Sequence, residues 1–169
     1  MTSTAPIDRS IYPMPMFATL LAPDVEQLAR FYHRLGFISL ATIPGPGGGP
    51  AVIHLRRAKY QDLLLVPGNS TPGSAFVSFA AHGEDLDALA ERVRADLPAG
   101  ATVSGPTATP WFTTDLTVTD PQGHIVVLTA QREQDAGAAQ EWATTFSGDW
   151  ERLEVLDDRN PSDLRPPSG

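Results

Sequence analysis

The sequence predicts an α+β protein in which two βαβββ modules form curved mixed sheets around a ligand cleft. Three observations carry that expectation: two amphipathic stripes at helical spacing, short apolar runs set between Gly and Pro breakers, and one element order followed twice along the chain.

Residues 1–15 are rich in Pro, Ser and Thr and read as an extended lead-in, followed by an apolar strand over residues 16–21. Asp24 then offers an N-cap with Gln27 in the capping-box position, and Leu28, Phe31, Tyr32 and Leu35 share one helical stripe up to Gly36. A strand over residues 37–43 leads into the loop PGPGGGP at residues 44–50. Strands over residues 51–56 and 63–66 close the unit, joined by a polar turn at residues 59–62. The order then repeats. Residues 75–80 form a strand, and Leu86, Leu89, Ala90, Val93 and Leu97 line one face of a helix over residues 85–97. A weaker strand includes Thr102 and Val103, another spans residues 111–118, and the last spans residues 125–129 after the turn DPQG. The expected organisation is a lead-in (1–15), a first module (16–70), a second module (71–130), an amphipathic extension (131–156) and a flexible acidic, Pro-rich tail (157–169). Gln131 to Phe146 carries Ala138, Ala139, Trp142, Ala143 and Phe146 on one stripe, which Trp150 extends. Wet aromatics of this size are costly, so the extension is expected to dock on the body or on a second chain.

One helix covers only one face of each sheet, and the strands carry apolar residues at both parities. The uncovered faces are therefore expected to line a closed or half-closed cleft between modules, of one chain or of the two chains of an expected homodimer; the sequence leaves that pairing open. Composition narrows the partners. The chain has no cysteine, which removes disulfides and thiolate chemistry. Residues 133–169 hold nine acidic and three basic side chains and so carry −6 of the formal charge of −8. The near-neutral body has no basic stripe for nucleic acid, whereas an acidic surplus is compatible with a cationic small molecule. No apolar run approaches the roughly 20 residues that span a bilayer, and residues 1–13 show no leader pattern. The expected setting is the cytoplasm, without membrane or nucleic-acid partners.

FATLLAPDVEQLARFYHRLGF at residues 17–37 resembles the opening of the vicinal-oxygen-chelate superfamily, which includes glyoxalase I, extradiol dioxygenases and bleomycin-resistance proteins. DLTVTDPQGHIVVL at residues 115–128 is similar to that superfamily's closing segment, and HLRRAKYQDLLL at residues 54–65 resembles its bleomycin-resistance branch. Catalytic members hold a divalent metal with four side chains, usually His and Glu. The resemblance places those positions on Phe17, about Leu64, about Phe76 and Val127, none of which has a donor atom. It thus implies the fold without metal or other cofactor, as in the ligand-sequestering resistance proteins. His33, His54, His82 and His124 show no ligand-pair spacing and read as surface or turn residues. PGPGGGP lacks the Lys-Ser/Thr of a phosphate loop.

Strand parity puts Phe17 and Thr19 on the cleft side, with Asp62 and Leu64, Phe76 and Ser78, and Val127. Trp111 and Phe112 are expected to offer flat contact area at the cleft mouth, with Asp62 or Asp115 drawing a positive group and His54 polarising a carbonyl. The function this suggests is metal-free sequestration of a small aromatic or cationic, antibiotic-like compound. A cofactorless isomerase, cyclase or lyase using a His/Asp acid-base group is the other reading, so the sequence leaves turnover open.

Overall fold

The structure, a computed structural model, describes residues 7–10, 14, 16–81 and 83–149. Its first unit comprises β1 (Ala18–Ala22), α1 (Val25–Arg34), β2 (Ile38–Pro44), β3 (Pro50–Ala58) and β4 (Gln61–Pro67). The second comprises β5 (Phe76–Ala80), α2 (Leu86–Arg94), β6 (Thr102–Ala108), β7 (Thr113–Thr119) and β8 (Ile125–Gln131). A single 3-10 turn, Glu133–Asp135, leads into α3 (Ala136–Ala143). The first two helices, α1 and α2, start where a carboxylate meets an orphan amide: Asp24 accepts from the Gln27 amide and Asp85 from the Ala88 amide, each at 2.9 Å. The turn after α1 passes through Gly36 at φ +89°, a conformation that releases the chain at once into β2.

The two sheets have the same plan. Their strand orders are β1-β4-β3-β2 and β5-β8-β7-β6, with the β1/β4 and β5/β8 pairs parallel and the remaining pairs antiparallel. Neither sheet closes on itself, and the architecture is α+β with two four-stranded mixed sheets. Leu20, Leu55, Leu63 and Leu65 point toward α1, while Phe79, Leu116, Val126 and Leu128 point into the second unit's helix side. These sets form one continuous core with Leu28, Phe31, Tyr32, Leu89 and Val93. The helix-bearing faces therefore meet each other. Across that seam Phe37 stacks edge-on to Phe79 at 5.6 Å, and the Tyr32 hydroxyl donates to Asp120 Oδ2 at 2.7 Å.

This seam sets the arrangement of the free faces. Because the helical sides pair with one another, the uncovered faces do not enclose a cleft within one chain; Phe17 is 48% exposed and Phe76 67%. Strand β7 begins at Thr113, later than expected. Thr109 and Thr113 close a turn in which Phe112 takes φ +66°, so Trp111 and Phe112 belong to that turn and not to the strand. The extension forms a shorter helix than expected, and no residue of that helix is buried. Its stripe meets the body through Phe112, whose ring lies 5.7 Å from Trp142, and Trp142 in turn stacks on Phe146 at 4.7 Å. Trp150 and the tail lie outside the described residues. Among the described residues no helix is long and apolar enough to cross a membrane.

Candidate functional site

A cavity of about 300 Å³ lies where the edge strands of the two sheets approach each other. Its walls include Phe17 before β1, Tyr60 in the β3/β4 turn, Asp62 in β4, and Phe76 and Ser78 on β5. Of the residues picked from the sequence, the cavity gathers Phe17, Asp62, Phe76 and Ser78. Phe17 and Phe76 present exposed rings there, and Ser78 offers an exposed hydroxyl.

The others lie along the two free faces. Pairing of Thr19 with Leu64, and of Leu64 with His54, puts these three side by side on the face of the first sheet opposite α1. Val127 pairs with Ser78 and Thr117, and Thr129 with Asp115, on the corresponding face of the second sheet. Asp115 accepts from the hydroxyls of Thr113 at 2.8 Å and Thr129 at 2.6 Å, which leaves a half-buried carboxylate fixed in a field of hydroxyls. Trp111 and Phe112 are outside the cavity wall, Trp111 at 54% exposure and Phe112 beneath Arg132 and Trp142.

The structure revises Asp62 and His54. Asp62 is not an open turn residue: it is a fully buried β4 residue paired opposite Arg56, whose Nε donates to Asp62 Oδ1 at 2.6 Å. His54 Nε2 lies 3.1 Å from the same oxygen and, because a carboxylate only accepts, donates to it. The charge of Asp62 is thus already answered by Arg56, while its Oδ2 is buried without a hydrogen bond. A carboxylate so placed is a poor lure for a cation. Arg56 was not among the sequence candidates. Its signal was its parity with His54, two residues away in the same strand. Its Nη1 reaches the backbone carbonyls of Asp8 at 2.9 Å and Ser10 at 2.8 Å, so the lead-in crosses the free face of the first sheet at this point.

Neighbouring Arg57 points to the other side, toward the core seam. It pairs with Glu84 and donates to the Ala80 carbonyl at 3.2 Å, and burial pushes its guanidinium down to about 10. His124, expected as a surface or turn residue, lies in the turn before β8 and is buried there with Asp120: the imidazole Nδ1 donates to Asp120 Oδ2 at 2.7 Å while the Gln122 and His124 amides reach Oδ1. Desolvation beside the Asp120 charge drives the Tyr32 phenol well above its ordinary range. His33 is on α1 and bonds Ser39 at 2.9 Å; His82 lies outside the described residues.

The residues at the four metal positions implied by the superfamily do not fit a metal. Phe17, Leu64, Phe76 and Val127 are hydrocarbon, and among the described residues no three His, Cys, Asp or Glu side chains converge. His54 and Asp62, on the same face of the first sheet as Leu64, are engaged through one hydrogen bond to each other and, at Asp62, with Arg56.

Two open mixed sheets of this order, with a small cavity between their edges, define a protein of the paired βαβββ class. Residues 16–128 match the Glyoxalase/Bleomycin resistance protein/Dioxygenase superfamily, and the chain belongs to that family. No curated protein matches the chain at a significant level. Among solved structures, the chain is similar to a bleomycin resistance determinant encoded on transposon Tn5, with 20% identity, TM-score 0.53, and coverage of 69% of this chain and 97% of that one. It is similar to a bleomycin-binding protein complexed with bleomycin at 21% identity and TM-score 0.52, over 70% of this chain and 98% of that one. It also resembles the fosfomycin resistance protein FosX from Listeria monocytogenes, solved with Mn(II) and sulfate, at 14% identity and TM-score 0.55, over 75% and 98% of the respective chains.

Proposed function

We propose that this chain is a metal-independent cytoplasmic binding protein that acts as a homodimer and sequesters a small, antibiotic-like compound with an aromatic or cationic part. The observation that carries the reading is the makeup of the cavity. The positions that would ligate a metal are hydrocarbon, and two of them, Phe17 and Phe76, present exposed rings to the same space as Ser78 and Tyr60. Such a wall suits burial of a flat ring with a few polar contacts. A cationic part finds its partner at Asp115, whose bonds among the described residues come from hydroxyls, sooner than at Asp62, which already faces Arg56. The bleomycin-binding relatives support the same class of ligand. The exposed apolar residues on the two free faces support a second copy of the chain as the surface that completes the cleft.

The test is a thermal-shift screen of EDTA-dialysed protein against aromatic and peptide-derived compounds, followed by native mass spectrometry. A stoichiometric complex that carries the compound at unchanged mass on a dimer is the expected result. A new product mass, a requirement for added metal, or a monomer of about 18.1 kDa throughout would each overturn the corresponding part of the reading.

A further inference from the structure

We propose that residues 7–10 act as an internal pseudo-ligand: their backbone carbonyls occupy an Arg56 subsite that takes an amide carbonyl of the bound compound, so the lead-in and the ligand compete. This deepens the binding reading above and rests on it. Arg56 is fully buried on the free face of the first sheet, and its Nε is fixed on Asp62 Oδ1 at 2.6 Å. That anchorage aims Nη1 out of the sheet, where it donates to Asp8 O at 2.9 Å and Ser10 O at 2.8 Å. Two carbonyls two residues apart are what an extended amide-bearing molecule would also offer. The acceptors are neutral for a physical reason. The Arg56–Asp62 pair has no net charge, so a neutral carbonyl completes it, whereas an added carboxylate would be drawn in beside the Asp62 charge.

The subsite adjoins the cavity. Asp62 lines the cavity together with Phe17 and Phe76 and also holds Arg56, so a ring in the cavity and an amide on Arg56 fit one small molecule. The segment 7–10 is placed to be exchanged. Its turn is held by its own side chains, with the Ser10 amide and hydroxyl donating to Asp8 Oδ1 at 2.8 and 2.6 Å, and among the described residues its hydrogen bonds to the body are the two at Arg56. Arg9, exposed between the two carbonyls, supplies a tryptic site inside the strap.

Benzamide, which combines a ring with one neutral amide, is the probe; toluene lacks the carbonyl and benzoate carries a charge. Full-length protein is followed by the rate of tryptic cleavage after Arg9, by the Arg56 side-chain Nε–H resonance, and by the backbone amides of Phe76 and Ser78. Benzamide is expected to speed cleavage several-fold in a saturable way and to move all three resonances. Toluene should move Phe76 and Ser78 alone, and benzoate should bind more weakly than benzamide. Asp8→Ala, which unties the turn, should raise basal cleavage and tighten benzamide binding several-fold. If benzamide moves Phe76 and Ser78 while Arg56 and the cleavage rate stay unchanged, the pseudo-ligand is refuted and the binding reading survives. Benzoate binding more tightly, or equal benzamide affinity in Asp8→Ala, likewise overturns it. Silence of every compound at Phe76 and Ser78 removes the binding reading and the proposal with it.

Discussion

Replacing Tyr32 with Phe isolates one atom at the seam between the two units. The ring packs edge-on to Phe31 at 5.6 Å and Phe37 at 5.5 Å, contacts that Phe preserves, so the variant loses only the hydroxyl that donates to Asp120 Oδ2 at 2.7 Å. A buried hydrogen bond to a charged acceptor contributes about 1.5–3 kcal/mol, and here the acceptor keeps its His124 bond, so Asp120 is not orphaned. In a chain of this size that corresponds to a fall of roughly 3–12 °C in thermal midpoint. The pH dependence makes the attribution specific. Burial raises the Tyr32 phenol well above its ordinary 10.0 in the folded chain. Above about pH 10 the unfolded chain therefore sheds this proton while the folded chain keeps it, and the stabilisation, fully present below that pH, declines by about 1.4 kcal/mol per pH unit. Tyr32→Phe has no such proton. Urea unfolding followed by far-UV circular dichroism from pH 8 to 11 should show a wide gap between the two proteins at pH 8 that closes above pH 10. A gap below about 0.5 kcal/mol at pH 8, or one that stays constant to pH 11, would refute the reasoning.

Three further perturbations probe the other features. Asp62→Ala leaves the buried Arg56 guanidinium facing an empty position and should cost about 3–5 kcal/mol in urea unfolding, whereas Arg56→Met with Asp62→Leu should be near neutral; the reverse order would show that the pair is not the buried one described. Trp142→Ala should cost only about 0.5–1.5 kcal/mol, because the ring keeps 41% of its exposure and its contacts are Phe112 and Phe146; a loss above 3 kcal/mol would mean that α3 is docked more deeply. Gly123→Ala should destabilise well beyond the ~1 kcal/mol expected of Gly73→Ala. Both glycines have positive φ, but only at Gly123 does an added Cβ fall 2.6 Å from Pro72 Cα, so equal midpoints for the two variants would contradict that contact.

Local chemistry determined much of this protein from the sequence alone. Asp24, Gln27 and Gly36 bracket the first helix, Asp85 opens the second, and the apolar alternation sets which strand residues face the helices, because caps and periodicities act within a few residues of chain. The family was legible for the same reason, since its motifs are local strings. What needed the tertiary structure was everything that depends on register or on which faces meet. Lys59 and Tyr60 make a two-residue turn with Ala58 opposite Gln61, and an unbroken ladder from there would set Arg57 opposite Asp62. An irregularity between Arg56 and Ala58 shifts the pairing by one residue, which brings Arg56 to Asp62 and sends Arg57 to the core side with Glu84. The same holds for Asp120. In the sequence it is one letter of a turn, and only the packing of α1 against the β7/β8 turn, 88 residues away along the chain, makes it the buried acceptor for Tyr32 and His124. Side-chain type and local order thus decided the elements, while a one-residue slip and the choice of the helical faces as the seam decided which polar groups were buried together and which rings were left exposed.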